Sequence, residues 1–336
     1  MSARRSILPV FIPHLGCPHD CVFCNQKRIS GSLFPAGAED VYRAAEQGGS
    51  CGGETPQLAF YGGSFTAIPA EEQLALLKAG KACIDRGLVS DIRLSTRPDA
   101  IDEIILDRLK AYGVSTVELG TQSMIDSVLA KSGRGHTSTQ TERASELVKE
   151  WGFTLILQMM TGLPGSSDEL DIRTAEKIVD IKPDGVRVYP TVIIRDTALY
   201  ELWQAGLYKE HTVEDAVRVG AEILPIFDRA GINVIRFGLN PTDDLSGGDA
   251  AGGAYHPALG ELVKSRVLLN DLRRKLSGRY DGKTLTAAVA KGCTSQMAGQ
   301  HRCNIDALKS EYGFSAVKIT EKVMERGKTE IVSIAK

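Results

Sequence analysis

No apolar run in the sequence approaches the roughly 18 residues needed to span a bilayer, so a membrane protein is not expected. Neither sign of charge is in excess. Forty Lys and Arg stand against 42 Asp and Glu, a net charge of −2. That balance excludes a global electrostatic footprint for nucleic acid, and any RNA contact must come from a local basic patch. No internal repeat and no low-complexity tract is present. Arg4 and Arg5 are not followed by a long apolar stretch, so no secretory signal is read. Cytoplasmic, reducing surroundings are the expectation. The seven cysteines are an odd number and suit metal or redox chemistry better than a disulfide framework. The 336 residues allow one large domain or two ordinary ones.

What is present begins with Gly16-Cys17-Pro18-His19-Asp20-Cys21-Val22-Phe23-Cys24. Three cysteines stand at spacing C-x₃-C-x₂-C, with the aromatic Phe23 before the third. Cys17, Cys21 and Cys24 on one short loop can hold three corners of a cubic [4Fe–4S] cluster. The fourth iron is then left without a protein ligand. An open coordination position distinguishes catalytic metal sites from closed structural ones. Zinc is the alternative. It calls for four ligands, and His14 or His19 could supply the fourth, but no partner C-x₂-C pair accompanies the triplet.

Strand and helix patterns alternate along the chain. Strands are expected at Ser6 to Ile12, Gln57 to Tyr61, Ile92 to Ser95, Thr116 to Leu119, Phe153 to Met160 and Gly185 to Tyr189, with a seventh at Asn233 to Phe237. Helices are expected at Ala38 to Gln47, Ala70 to Asp85, Ile101 to Tyr112, Thr139 to Trp151, Asp168 to Asp180 and Val213 to Ala230. Near-continuous apolar strands such as Leu155 to Leu157 fit a parallel sheet. The motifs lie just after strands, as sites do on the C-terminal face of (β/α) barrels. The reading is an α/β fold: a partial (β/α)₆ TIM-type barrel over residues 1–238, then a small α+β subdomain over 239–336. An open doubly wound sheet is the alternative. Asp243 to Ala254 reads as a loop. A helix opened by His256-Pro257 runs to about Leu276, and Ile305 to Tyr312 is a short helix. Ala316 to Ile319 and Glu330 to Ile334 are strand-like.

After the second strand comes Tyr61-Gly62-Gly63-Ser64-Phe65-Thr66, where two glycines let backbone approach a ligand. Ser95-Thr96-Arg97-Pro98-Asp99 follows the third, and the fork of Arg97 suits a carboxylate or phosphate. Glu118-Leu119-Gly120-Thr121-Gln122-Ser123 follows the fourth, and Gln122 offers donors and an acceptor to a ribose diol. Ser132-Gly133-Arg134-Gly135-His136-Thr137 adds a cation and an imidazole. In Gln158-Met159-Met160-Thr161-Gly162-Leu163-Pro164-Gly165, Gln158 is the polar exception in an apolar strand, and the methionines read as core.

The cysteine spacing with Phe23 resembles the signature of the radical S-adenosylmethionine (radical SAM) enzymes. Together, VELGTQS, GRGHT, GLPG and Asp184-Gly185-Val186-Arg187-Val188-Tyr189-Pro190-Thr191 resemble that superfamily's elongator catalytic-subunit branch, in its short bacterial form without the acetyltransferase domain. The similarity runs from about Phe11 to Ala230. Coproporphyrinogen-type enzymes are near relatives. The resemblance implies S-adenosylmethionine bound at the open iron of a [4Fe–4S] cluster. It implies cofactor-binding places for Gly62, Gly63, Ser64, Arg97, Gln122, Arg134 and Gln158; Ser64 stands where many members carry Glu. It implies a 5′-deoxyadenosyl radical, a tRNA base as substrate, and a reductant such as flavodoxin or ferredoxin. A small molecule such as a porphyrin precursor is the alternative substrate. A non-catalytic cluster- or zinc-binding scaffold is the alternative of another class.

Further features stand outside the barrel motifs. Lys264, Arg266, Arg273, Arg274, Lys275, Arg279 and Lys283 face only Glu261, Asp271 and Asp281 in sequence, and are the candidate footprint for RNA phosphates. Cys293, His301 and Cys303 form a loose cluster, read as a metal site or a contact to substrate, with buried thiols as the ordinary alternative. Cys51 and Cys83 are read apart from catalysis, and Cys83 fits a buried helix face.

Overall fold

The computed structural model describes residues 6–12, 21–24, 36–48, 54–239 and 249–336. Cys17, Cys51, His14 and His19 lie outside them.

Seven strands form one sheet, all neighbours parallel: β1 (Ile7–Ile12), β2 (Gln57–Gly62), β3 (Ile92–Thr96), β4 (Val114–Gln122), β5 (Thr154–Thr161), β6 (Gly185–Pro190) and β8 (Asn233–Phe237). The order follows the chain, which is the topology of an incompletely closed barrel rather than of a doubly wound sheet. Helices between successive strands cover one face. They include Ala70–Asp85, Ser138–Glu150, Asp168–Ile181 and Val213–Arg229. Their starts are written in the sequence. Thr137 and Thr212 each make a capping box, and Ser167 caps its helix by accepting from the Leu170 amide.

Alternation along each strand decides which residues meet the helices. Val10, Leu58, Phe60, Ile92, Leu94, Val117, Leu119, Leu155, Leu157, Val186 and Val188 are buried in one core with Leu77, Leu106, Val148 and Ile178 of the helices. Cys83 joins this core, in keeping with its helical spacing. Alternate strand residues face the inner side, and several of those are charged.

Two smaller sheets accompany the barrel. β7 (Val192–Ile194) pairs antiparallel with β9 (Ala250–Gly253). This corrects the loop expected there. Four residues of Gly and Ala carry no strand propensity, and pairing with the apolar β7 overrides it. Residues 243–248 of that expected loop lie outside the described ones.

The last sheet has the order β11–β10–β12, with β10 (Thr284–Ala290), β11 (Ala316–Lys322) and β12 (Thr329–Ala335). Its two outer strands fall where strand-like ends are expected. The central Thr-Leu-Thr-Ala-Ala-Val-Ala carries no such expectation, since its alanines read as neutral. The helix expected after His256-Pro257 runs Leu259–Arg273. Its first half packs with Ala216 and Val217 of the barrel's last long helix, and its second half with the terminal sheet.

Candidate functional site

The sequence motifs converge at the C-terminal ends of β1 to β5. Residues 21–24 make a tight turn closed by the Cys24 amide on the Cys21 carbonyl at 3.0 Å. It is held from two sides. The Val22 amide donates to the Ser132 carbonyl at 3.1 Å, and the Leu199 amide donates to the Val22 carbonyl at 2.7 Å. Leu199 lies at the start of helix Ala198–Gln204, and Phe23 packs against Ile193, Leu199 and Tyr208. The aromatic residue before the third cysteine is thus an anchor.

The Cys21 thiol is buried, and Arg134 Nη1 reaches its Sγ at 3.4 Å. Arg134 Nη2 donates to the Gly120 carbonyl at 2.6 Å, and Arg97 Nη2 donates to the Arg134 carbonyl at 2.6 Å. Arg97 is only 1% exposed, and Asp99 holds its Nε and Nη2 at 2.9 and 3.0 Å. Burial pushes the Asp99 carboxyl up, but the Arg97 guanidinium outweighs it and leaves the pKa below the usual carboxylate value. Gly120 makes room for this contact: a Cβ would stand 2.6 Å from Arg134 Nη2 and displace the guanidinium. Two residues on, Gln122 adopts φ +64°, where β4 shifts register against β5. A left-handed glutamine at a strand end is strained backbone, the kind found at ligand sites.

His136 is buried beside these groups, and its Nε2 lies 3.2 Å from the Thr121 carbonyl. Burial, reinforced by the Arg134 charge, lowers its pKa to about 4. The ring is therefore neutral near pH 7. Its Nε2–H donates to the carbonyl, which leaves Nδ1 as an acceptor.

The Gly-Gly turn ties β2 to the end of β1. Gly62 has φ +107°, and a Cβ on it would meet the Ile12 carbonyl oxygen at 2.5 Å. The Gly63 amide donates to that same oxygen at 3.1 Å. Ser64 is buried at the start of the short helical turn Phe65–Ala67. Of the two glycines, the steric demand for a missing side chain is documented at Gly62.

Deeper on the inner face lies a buried ionic network. Glu118 is 0% exposed. It accepts from Arg187 Nε at 2.9 Å and Nη2 at 3.3 Å, from the Tyr61 hydroxyl at 2.7 Å, and from Gln158 Nε2 at 3.1 Å. Arg93 Nε stands 3.1 Å from Glu118 Oε1. Gln158 thus sits in this network, with its amide nitrogen turned to Glu118. Burial and the Glu118 charge raise the Tyr61 hydroxyl well above the usual tyrosine value. Sequence reasoning alone misses Glu118, Arg93 and Arg187 as a group. The signal is there: each is a lone charge flanked by apolar residues within a strand, as in Val117-Glu118-Leu119.

The residues present fit a cluster and a polar ligand. A guanidinium against a buried thiol suits a thiolate ligand. Buried polar atoms without a hydrogen-bond partner gather around the same strand ends: Arg97 Nη1, Gln122 Oε1, Ser132 Oγ, Arg134 Nε and His136 Nδ1. Such atoms are rare in a folded interior unless something else completes them.

The other two candidates fare differently. In the basic segment, Lys264 pairs with Glu261, Arg266 with Glu214, Arg273 with Glu311, Arg274 and Lys275 with Asp271, and Arg279 with Asp281. Two of these partners, Glu214 and Glu311, are acids distant in sequence, so the charge of the segment is lower than its own residues suggest. Cys293 is buried and Cys303 exposed, and among the described residues no three His, Cys, Asp or Glu gather as a metal site. No described helix is long and apolar enough to cross a membrane.

Comparison with known proteins agrees with this geometry. Residues 11–178 match the radical SAM superfamily, and residues 183–268 match the radical SAM C-terminal domain. The chain is 36% identical over 129 residues to a tRNA uridine(34) acetyltransferase of Methanocaldococcus jannaschii, covering 38% of this chain and 24% of that one. It is 36% identical over 138 residues to human Elongator complex protein 3, covering 40% and 25%. The chain thus spans about a quarter of the length of these relatives. In structure it is similar to the archaeal Methanocaldococcus infernus Elp3 with an N-terminal deletion, with a TM-score of 0.63 at 24% identity, covering 82% of this chain and 64% of that one. A partial barrel, a cysteine turn at its mouth and a superfamily match over half its length establish that the chain belongs to the radical SAM superfamily, whose enzymes cleave S-adenosylmethionine with a [4Fe–4S] cluster.

Proposed function

We propose that the chain uses Cys17, Cys21 and Cys24 to hold the cluster, and modifies a base of tRNA through a 5′-deoxyadenosyl radical. The observation that carries the site assignment is the contact of Arg134 with Cys21, which couples the cysteine turn to the ends of β3 and β4. The tRNA reading rests on the names of the similar proteins. When bound, the cluster supplies one electron that breaks a C–S bond of S-adenosylmethionine.

The chain's own residues bind and orient. Arg134 balances thiolate charge at Cys21 and fixes the Gly120 turn. Arg97, locked by Asp99, keeps Nη1 for a carboxylate, and Gln122 Oε1 is an acceptor for a ribose hydroxyl. The Gly62-Gly63 turn brings backbone carbonyls within reach of an ammonium group. Hydrogen abstraction needs no general base, so the neutral His136 is a hydrogen-bonding group rather than a proton carrier. The relatives' acetyl transfer is not assigned to this chain, because the matched segment is a quarter of their length.

The test is anaerobic reconstitution with iron and sulfide, reduction by dithionite or by flavodoxin or ferredoxin, and assay of 5′-deoxyadenosine with and without tRNA. Release that tRNA stimulates is expected. No 5′-deoxyadenosine under any reductant would overturn the proposal. Stimulation by coproporphyrinogen but not by tRNA would replace the substrate.

A further inference from the structure

Among the described residues, the inner face of the barrel carries more guanidinium than its buried carboxylate can balance. Arg93 lies on β3, Arg187 on β6 and Arg236 on β8. In the parallel register Arg187 is paired with Arg236, so the two share a face. Arg93 is paired with Thr116, two residues before Glu118, and shares that face too. A carboxylate offers about four lone-pair sites. Arg187, Tyr61 and Gln158 fill those of Glu118.

Arg93 is left over. Its side chain is 9% exposed, and its Nε, though 3.1 Å from Glu118 Oε1, is buried without a hydrogen bond. Among the described residues neither Arg93 nor Arg236 donates a hydrogen bond. A guanidinium enclosed as that of Arg93 is costly unless its donors are met. The face is not sealed: Tyr61, Gln158, Tyr189 and Arg236 are half-buried, and Phe11, in register with Tyr61, is exposed.

We propose that this face is a binding site for an oxyanion of the substrate, a phosphate or a carboxylate. The unused donors of Arg93 take it beside the Arg187–Glu118 pair, and Arg236 adds positive potential. Arginine forks match both groups by paired, charge-assisted hydrogen bonds. The inference rests on the reading that substrate enters the barrel, and it deepens that reading: the substrate carries a negative group below the radical-forming end. On the tRNA proposal the group is a phosphate of the nucleotide being modified.

The experiment titrates the reconstituted full chain with inorganic phosphate or with acetate at constant ionic strength set by chloride, and follows the melting temperature. A ligand that binds only the folded state raises it saturably, by about 2–5 °C for a site filled several-fold above its Kd. The wild-type chain is expected to respond, and Arg93→Gln to lose at least half of the rise. Arg236→Gln removes a half-buried side chain with no hydrogen bond to another described residue, so it reports even if Arg93→Gln fails to fold; its half-saturating concentration should rise several-fold. A response to phosphate alone assigns a phosphate ester, and to acetate alone a carboxylate. No wild-type response, or one that both folded variants reproduce, overturns the site. If 5′-deoxyadenosine forms while phosphate and acetate do nothing, the oxyanion site falls and the radical chemistry stands. Arginine-dependent binding without 5′-deoxyadenosine keeps the site and removes the radical chemistry.

Discussion

Glu118→Gln is the most informative single change outside the cysteines. The carboxylate is fully buried and accepts four hydrogen bonds, two of them from Arg187. Glutamine has nearly the same shape. It replaces one acceptor oxygen with a donor that points at donors, and removes the negative charge that faces Arg93 and Arg187. Removing one partner of a buried ion pair costs about 3–5 kcal/mol, because the remaining charge is left enclosed and unpaired. For a domain of this size each kcal/mol lowers Tm by about 2–4 °C, so a fall of roughly 6–20 °C is expected. The assay is thermal unfolding at pH 7, followed by circular dichroism. The double variant Arg93→Gln/Glu118→Gln tests the cause, since removing one stranded guanidinium should return part of the loss as a coupling energy. A single-variant fall below about 2 °C, less than one kcal/mol, or a double variant with the two losses simply added, would refute the argument.

Four further outcomes follow from the same geometry. Cys21→Ala should lose the broad visible absorption of the cluster and its bound iron; full iron content with full S-adenosylmethionine cleavage would contradict the assignment. Gly62→Ala should cost about 1–3 kcal/mol in urea unfolding, since φ +107° and the Ile12 carbonyl both oppose a Cβ; an unchanged midpoint would show that the turn relaxes. His136 has a folded pKa of about 4, below the unfolded value of about 6.5, so the unfolded chain binds the extra proton as pH falls between them. Wild-type stability should therefore drop by about 2–3 kcal/mol more than that of His136→Gln from about pH 6.5 to 4.5, and equal losses would reject the buried neutral ring. Replacing Arg273, Arg274 and Lys275 by Ala should leave the salt slope of tRNA binding within about one unit, because acids already pair these cations; a larger drop would restore the segment as the footprint.

The barrel is legible in the sequence because its strands are short apolar runs and several of its helices begin with readable caps, at Asp102, Thr137, Ser167 and Thr212. Helix Ala70–Asp85 and strand Asn233–Phe237 fall where periodicity puts them. Strands β9 and β10 are not legible. Gly and Ala carry little strand preference, and their pairing is decided by partners elsewhere in the chain. The Gly62 turn is legible because a glycine at a strand end marks close backbone approach, here to the Ile12 carbonyl. The basic segment reads as more positive than it is, because charge counted along the chain omits acids that folding brings across, Glu214 and Glu311. Glu118 is visible as one letter of a motif; only strand register joins it to Arg93 and Arg187.

The two-sided grip on the cysteine turn has a consequence for biosynthesis. Cys21 meets Arg134 across 113 residues of chain, and Val22 takes its second backbone bond from Leu199, further on still. Long loops of this kind close late, since their entropy is lost before the contact forms. A nascent chain past Arg134 but still short of Leu199 has its cysteines and only one of the two sides that hold them. On the proposed cluster assignment, iron is best delivered after translation has passed Leu199, and a truncation before it would leave the cysteine turn gripped from one side only.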